Sequence, residues 1–424
     1  MLSLKYIRNN TAFVKESLAM KQSDIDISNI LELDTKRREF LQNVEQLRAQ
    51  KNQVSNNIAQ LKKKGDNVQD YIINMRSISE KIKELESALK EIDQDISDAI
   101  FYIPNIVHSS VPSGEDKTSN VIIKEWGDKP DFAFIPRDHI ELGELLNLFD
   151  FKRSVKMAGS GFPLYTGLGA RLERALINLM LDCHIIEHKY TELFPPFLAH
   201  AEAMHNTGQL PKFEEEMYRI PDDTLYCIPT AEVPITNIHQ GEILNESELP
   251  KKYAAYSACF RREAGSYGKD TRGLSRLHQF NKVELVKFVH PNHSYSELEL
   301  LLQDAEAILK TLGLHYRIIE LCSGDLSFSS SKCYDLEVWS PGEKKYLEVS
   351  SCSNFESFQA RRGNIRFRNN ITGKTELLHT LNGSGVATPR LMISLLETYQ
   401  QKNGTIQLPL ALHPYMKMEE ILCS

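Results

Sequence analysis

The sequence predicts an α+β protein: a long antiparallel helical coiled-coil arm, followed by a larger domain of antiparallel sheet flanked by helices. Three observations predict it. Apolar residues keep a seven-residue rhythm from about residue 28 to 103, and the rhythm stops after Pro104. Beyond a linker rich in turn residues, short β-rich runs alternate with helical stretches and no regular βαβ rhythm appears. The chain of 424 residues also exceeds what one hydrophobic core usually serves.

The arm is written in two halves. Leu33, Phe40, Leu47, Val54 and Leu61 recur every seven residues. Ile30, Val44 and Ile58 fill the interleaved series, which also carries Arg37 and Lys51. In the second half Tyr71, Met75, Ile78, Ile82, Leu85, Leu89, Ile92, Ile96 and Ala99 alternate spacings of four and three. That is the period of about 3.5 residues of a coiled-coil seam. Gly65-Asp66-Asn67 between the halves can end one helix and start the next. At about 1.5 Å per residue each helix runs roughly 45–50 Å, too long to lie inside a domain. The expected division is an N-terminal domain over 1–104 with the arm at about 28–103, a linker over 105–120, and a second domain over 121–424.

Charge is uneven along this arm. Lys36, Arg37, Arg38, Arg48, Lys51, Lys62, Lys63 and Lys64 outnumber Asp34, Glu39 and Glu45 in the first half, and the second half is acidic. A solvated coiled coil with pairing charges is one reading. A basic stripe that meets phosphates is the other, and it matters more than the overall charge of −7. The arm alone does not decide between them.

Composition narrows the class. At 41% apolar and 25% charged the chain sits in the ordinary globular range. No apolar run approaches the roughly 20 residues of a membrane span, and the polar start has no signal-peptide core, so no membrane partner and a cytoplasmic location are expected. Seven cysteines are scattered without a C-x-x-C pair, so neither a disulfide framework nor zinc is expected, only reduced and mostly buried thiols.

In the second region, β-rich runs at Tyr253–Phe260, Gln279–Phe288, Asp335–Trp339 and Tyr346–Val349 alternate with helical stretches near 168–188, 294–312 and 386–401. No Walker A sequence and no G-x-G-x-x-G after a strand occurs, which excludes P-loop and Rossmann readings. Phe260-Arg261-Arg262-Glu263, a loop with Gly265, Gly268 and Gly273, and His278-Gln279-Phe280 read as strand, loop, strand. Arginines there suit phosphate, because guanidinium offers bidentate donors and permanent charge. In the return strand Phe280 and Glu284 share parity, with Lys282 between them on one face. They lie roughly 13 Å apart, a span that suits a base at one end and an amino acid at the other. Gly383 to Arg390 reads as a glycine-rich helix start, where backbone can approach an anionic ligand and Arg390 adds charge.

Together these pieces resemble the three signature motifs of class II aminoacyl-tRNA synthetases, and specifically the seryl-tRNA synthetases. The first motif is a helix at about 168–187 and a strand ending at Pro196. The second runs from Phe260-Arg261-Arg262-Glu263 through Phe280 and Glu284, and the third from Gly383 to Arg390. Longer strings carry the seryl likeness: Pro229-Thr230-Ala231-Glu232, Arg272 to Phe280, Glu348-Val349-Ser350-Ser351-Cys352-Ser353-Asn354-Phe355, Gln359-Ala360-Arg361-Arg362 and Asn382-Gly383-Ser384-Gly385. The resemblance runs over the whole chain, arm included.

The resemblance implies a ligase that activates L-serine with ATP to seryl-adenylate and loads it onto tRNA(Ser); it leaves open whether selenocysteine tRNA is charged too. Arg261 and Arg390 would be the catalytic charges, on the α- and γ-phosphates. The ATP site would comprise Arg261, Arg262, Glu263, Leu277, Phe280, Glu348, Val349, Ser350, Ser351 and Arg390, with Glu348 and Ser351 placing Mg²⁺. Thr230, Ala231, Glu232, Glu284 and Ser384 would bind serine. Arg37, Arg38, Arg48, Lys51, Lys62 and Lys63 of the arm would meet tRNA. A homodimer is implied as well. Leu172, Ala175, Leu176, Leu179 and Cys183 form an apolar helical face that serves either that dimer or the chain's own core.

Three departures stand out. Lys189 occupies a place where the first motif usually has glycine, Ser323 replaces threonine before Gly324-Asp325, and Pro389 precedes Arg390 where glycine is usual. Proline is tolerated in a first helical turn, so only the turn at Lys189 is placed in doubt. A non-catalytic tRNA-binding paralogue is the competing reading; it would be expected to have lost Arg261, Arg390 or Glu284, and none is lost. Relatives that charge a carrier protein lack the long arm present here.

Overall fold

The computed structural model describes residues 1–263 and 272–422 and divides into two compact units. One comprises Leu2–Ala19 and Ser23–Pro104; the other comprises Met1, Met20–Gln22 and the chain from Asn105 onward.

The first unit is helical: α1 (Leu4–Asn9), α2 (Thr11–Met20), α3 (Ser28–Lys64) and α4 (Gln69–Phe101). Both heptad series contribute to the seam. Val44, Ile78, Ile82 and Leu89 form its buried cluster, with Phe40, Leu47, Val54 and Leu85 packed against them. Gly65, at φ 80°, ends α3 in the left-handed conformation that glycine adopts without a Cβ penalty, and Asp66 N–H caps Leu61 O at 3.1 Å. Asn67 Oδ1 then accepts from Gln69 N at 3.0 Å where α4 begins. The ion pairs Arg37–Asp93 and Arg48–Glu86 (2.6 Å) join the helices in antiparallel register. Asp34 is buried between Arg8 of α1 at 2.8 Å and Arg38 at 3.3 Å.

The second unit is built on eight strands: β1 (Val121–Trp126), β2 (Thr191–Leu193), β3 (Lys251–Phe260), β4 (Gln279–Val289), β5 (Tyr316–Glu320), β6 (Lys332–Ser340), β7 (Lys345–Asn354) and β8 (His379–Ala387). Their order is β1-β5-β6-β7-β8-β4-β3-β2. Every neighbouring pair is antiparallel except β2–β3, which is parallel. The expected antiparallel sheet therefore has one parallel edge, made possible by the long excursion between β2 and β3.

Helices α5 (His139–Leu145), α6 (Gly167–Asp182), α7 (Glu232–Asn237), α8 (Ser294–Thr311) and α9 (Thr388–Tyr399) pack around this sheet. The main core joins Val283 and Leu285 of β4 to Leu172 and Leu176 of α6, Leu301 of α8 and Leu391 of α9. Val283–Val289 is buried throughout, as expected for a central strand covered on both faces.

The apolar face of α6 is spent on this core. Leu172, Ala175, Leu176, Leu179 and Cys183 are all buried within the chain, so that face offers no surface to a second copy. The helix expected to about 187 becomes a π-turn over Cys183–Glu187, and Lys189 follows at φ 61°. The six described cysteines are free; five are buried and Cys227 is half-buried. Cys423 lies outside the described residues.

Candidate active site

A cavity of about 590 Å³ opens over β4, β7, β8 and the start of α9. Strand alternation puts Phe280 and Lys282 on its wall, as their parity predicts. Glu284, two residues further, is fully buried behind that wall. Its carboxylate accepts from Thr230 Oγ1 at 2.7 Å and Asn382 Nδ2 at 3.0 Å, and it pairs with Lys282 Nζ. Ser384 lies directly opposite Glu284 in the β8–β4 register and reaches the cavity. Glu232 accepts from Gln359 Nε2 at 2.6 Å. Burial, and then the negative Glu284 nearby, push its carboxyl up to about 7. Ala231 is buried and does not line the cavity. This end is a pocket of acceptors with one ammonium, Lys282, already committed.

Two arginines, Arg261 and Arg390, line the same cavity. Arg261 follows β3; its N–H donates to His278 O at 2.9 Å, and its guanidinium lies 5.2 Å from the Phe280 ring centroid. Arg390 stands in the first turn of α9, after Pro389, which the turn accommodates as expected. Arg390 Nη1 donates to Glu348 O at 2.9 Å and lies 3.5 Å from Glu348 Oε2, while Nε donates to Ser275 O at 3.3 Å. Leu277 and Glu263 also line the cavity, Glu263 in an ion pair with Arg276 at 3.0 Å. Arg262 does not; its guanidinium lies 6.0 Å from the Tyr218 ring. Gly265 and Gly268 lie outside the described residues.

Glu348 and Ser351 are three residues apart and would point to opposite faces of a regular strand. Leu336 pairs with Ser350 and Glu337 with Glu348, which leaves Val349 as an extra residue. This bulge resets the alternation, and both Glu348 and Ser351 reach the cavity along with Val349 and Ser350. The donor set at this place is carboxylate and hydroxyl oxygen, which fits a hard cation such as Mg²⁺. Asp335, opposite Ser351, is held well above the usual carboxylate range by burial and by Glu348.

The glycines of the third motif act differently from the expectation. Residues 382–387 belong to β8, and the helix begins only at Thr388. A Cβ on Gly383 would meet Cys352 Sγ at 3.0 Å, and one on Gly385 would meet His184 Nε2 at 2.7 Å. Both glycines therefore serve close packing within the fold. The left-handed residue is Val386, at φ 107°, within a second bulge between Ser384 and Ala387. A β-branched residue there is strained, and the strain sits beside the pocket.

On the arm, Arg37 and Arg48 are paired with acids of α4, and Arg38 is paired with Asp34. Among the described residues Lys51, Lys62 and Lys63 form no ion pair; Lys62 and Lys63 are exposed. Asn382, which shares parity with Ser384, also lines the cavity and holds Glu284, a role that no motif marks. The clamp of Asp34 by Arg8 had no local signal, since the partners lie on different helices.

An antiparallel sheet that gathers two arginines, an aromatic ring and an acidic pocket into one cavity is the core of a class II aminoacyl-tRNA synthetase. Residues 212–399 match the family model described as tRNA synthetase class II core domain (G, H, P, S and T). Residues 1–107 match the seryl-tRNA synthetase N-terminal domain. The chain is 51% identical to a serine–tRNA ligase of Syntrophobacter fumaroxidans over 98% of both chains. It is 56% identical to that of Caldicellulosiruptor saccharolyticus, over 98% of this chain and 99% of the relative. Among solved structures, the seryl-tRNA synthetase of Pyrococcus horikoshii complexed with ATP superposes with a TM-score of 0.96 at 35% identity over 100% of both chains. The cytoplasmic serine–tRNA ligase of Naegleria fowleri in complex with AMP superposes at 0.91 and 27% identity, over 100% of this chain and 99% of that one. The chain belongs to the seryl-tRNA synthetase family.

Proposed function

We propose that the cavity holds ATP and L-serine side by side, and that the seryl group is then passed to the 3′ end of tRNA(Ser). The chain is a serine–tRNA ligase, and the observation that carries this division of the site is its polarity. Arg261, Phe280 and Arg390 line the same cavity as Thr230, Glu232 and Ser384, with Arg261 5.2 Å from the Phe280 ring, Arg390 against Glu348, and Thr230 bonded to buried Glu284.

In this reading Phe280 stacks the adenine, and the backbone at Leu277 meets its edge. Arg261 neutralises the α-phosphate and Arg390 the γ-phosphate, once Arg390 leaves Glu348. A serine carboxylate oxygen attacks the α-phosphorus, the bond to pyrophosphate breaks, and seryl-adenylate results. Such a step needs positioning and charge neutralisation rather than a side-chain nucleophile. Glu348 and Ser351 would hold Mg²⁺, which supplies charge neutralisation to the phosphates when bound. Arg262, away from the cavity wall, is left to support the loop. Glu232 and Thr230 accept from the ammonium and hydroxyl of serine, with Glu284 setting Thr230. A pocket built to hydrogen-bond a hydroxyl rejects the analogue lacking it by roughly 10⁴–10⁵, which excludes alanine.

The remaining roles follow the same reading. Residues 1–104 form the tRNA-binding domain, 105–120 the linker and 121–424 the catalytic domain. The arm contacts tRNA through its basic helix, with Lys51, Lys62 and Lys63 the best placed because no acid holds them. The enzyme works in the cytoplasm as a homodimer. Exposed Ile186 (62%) and Phe194 (78%), flanking β2 at the edge of the sheet, support a dimer surface there in place of the buried face of α6.

The test is ATP–pyrophosphate exchange with each amino acid in turn. Serine alone should drive it. Glu284→Gln should raise the serine KM about tenfold to a hundredfold, since buried Thr230 and Lys282 lose a charged partner, and leave the ATP KM nearly unchanged. Absence of serine-dependent exchange would return the chain to the non-catalytic reading.

A further inference from the structure

His139 opens α5 and is almost wholly buried. Its backbone N–H donates to Glu397 Oε1 at 2.9 Å, and its ring Nδ1 lies 3.3 Å from the same oxygen. Its Nε2 accepts from the N–H of Leu274 at 3.1 Å. A backbone N–H can only donate, so Nε2 carries no proton and Nδ1–H points at Glu397. Glu397 is fully committed: its Oε2 accepts from Ser340 Oγ and from Gly342 N at 3.0 Å.

His139, Glu343 and Glu397 bring their ligand atoms within 4.8 Å of one another, a spacing that would suit a metal ion. Hydrogen bonds account for the group instead. The one unprotonated nitrogen is occupied by Leu274, and both oxygens of Glu397 already have donors. What the group does is close a ring. Glu397 lies on α9, two turns beyond Arg390. Ser275, next to Leu274, donates its hydroxyl to Glu343 Oε1 at 3.2 Å and accepts Arg390 Nε on its carbonyl at 3.3 Å. The path therefore runs from Arg390 along α9 to Glu397, across His139 to Leu274 and Ser275, and back to Arg390. Gly273 completes the fit: at φ 63°, a Cβ there would lie 2.1 Å from His139 Nε2.

We propose that His139 is a positioning residue of the nucleotide site: through Leu274 N–H it fixes the segment Gly273–Ser275, and that segment orients Arg390 and the neighbouring Leu277 backbone toward ATP. The proposal rests on the assignment of ATP to the Arg261–Arg390 end. It separates the two substrates, because among the described residues no hydrogen bond or ion pair joins this ring to Thr230, Glu232 or Glu284.

Two isosteric variants of the full-length chain test it by exchange kinetics. Asn places a donor near the position of Nδ1 and keeps the link to Glu397, but it cannot reach Leu274. Gln extends an acceptor to the position of Nε2. His139→Asn should raise the ATP KM about tenfold, the loss expected when a buried N–H is left unpaired, while the serine KM stays within about twofold. His139→Gln should restore the ATP KM to within about threefold of the parent. A wild-type ATP KM in His139→Asn overturns the proposal, as does a parallel rise for ATP and serine or a failure of Gln to rescue. If His139→Asn does not fold, Gly273→Ala reads the same contact from its other side; an unchanged ATP KM there overturns it equally. Failure of the ATP-site assignment would look different: Arg261→Ala and Arg390→Ala would leave the ATP KM and the exchange rate near those of the parent.

Discussion

Along the helical hairpin, ion pairs across the two helices lie at the surface, as Arg37 finds Asp93 and Arg48 finds Glu86; buried Asp34, near the base, is the exception. In the sheet unit, the acid behind the pocket is buried, as Glu284 is between Lys282, Thr230 and Asn382, while Arg261 and Arg390 reach the open cavity. The difference decides what each region can do. Exposed pairs contribute about 0–1 kcal/mol each, so they can be exchanged for phosphates at little cost to the fold. Breaking a buried pair costs about 3–5 kcal/mol, because the remaining charge has no water to turn to. The hairpin is therefore suited to a salt-sensitive, adaptable contact with a polyanion, and the sheet unit to a preorganised pocket that discriminates between small molecules.

The comparison breaks most visibly at the two arginines. Arg261→Ala and Arg390→Ala should each lower pyrophosphate exchange by about 10²–10³-fold, the scale for loss of one preorganised charge contact. Circular dichroism should show the helical content unchanged. Near-normal exchange in either variant removes that residue from the phosphate site.

The complementary experiment cuts the hairpin. Deleting residues 30–100 and joining the ends by a short flexible linker should leave serine activation within about twofold but lower aminoacylation of tRNA by about two orders of magnitude or more. Single substitutions sharpen it. Lys62→Ala and Lys63→Ala should each reduce the slope of log binding constant against log salt by about 1. Arg37→Ala and Arg48→Ala should change that slope less, because part of their charge is spent on Asp93 and Glu86. Retained aminoacylation by the armless chain would refute the division.

A smaller effect tests the cost of the buried pocket. Glu232 has its carboxyl raised from 4.5 to about 7 by burial and by Glu284. The folded protein therefore holds a proton there that the unfolded chain releases above about 4.5, and stability from this group falls as pH rises from about 4.5 through 7. Glu232→Gln should raise the melting temperature by a few degrees at pH 8 and change it little at pH 5. The same variant should weaken serine use. A stabilisation independent of pH would detach the effect from this carboxyl.

The smallest concerns Lys189, held at φ 61° with a side-chain bond from Nζ to Ile186 O at 2.6 Å to offset the strain. Lys189→Gly should stabilise the chain by about 1 kcal/mol or less, read as a slight rise in melting temperature with unchanged kinetics. A lower melting temperature would show that the lysine side chain outweighs the backbone strain.

The sequence by itself determined whatever depends on neighbours along the chain. The seam of α3 and α4 follows from a period near 3.5, and the turn at Gly65 from the one residue type that enters a left-handed conformation freely. Phe280 and Lys282 could be placed on one face because side chains alternate along a strand, and the arginine and glycine strings carried the family likeness. Tertiary structure decided the rest. The likeness named Glu348 and Ser351, but only the bulge at Val349, set by pairing with β6, brings them to one face. The face of α6 could serve a dimer or a core on periodicity alone, and packing under the sheet assigns it to the core. His139, Glu397 and Leu274 form one hydrogen-bonded unit although more than a hundred residues separate each from the next. A periodic pattern records which side of an element is apolar; it holds no record of which distant segment will cover that side or which buried donor will find which acceptor. Those choices are made by the free energy of the whole packed unit, in which each buried polar group must find its partner wherever the fold has brought one.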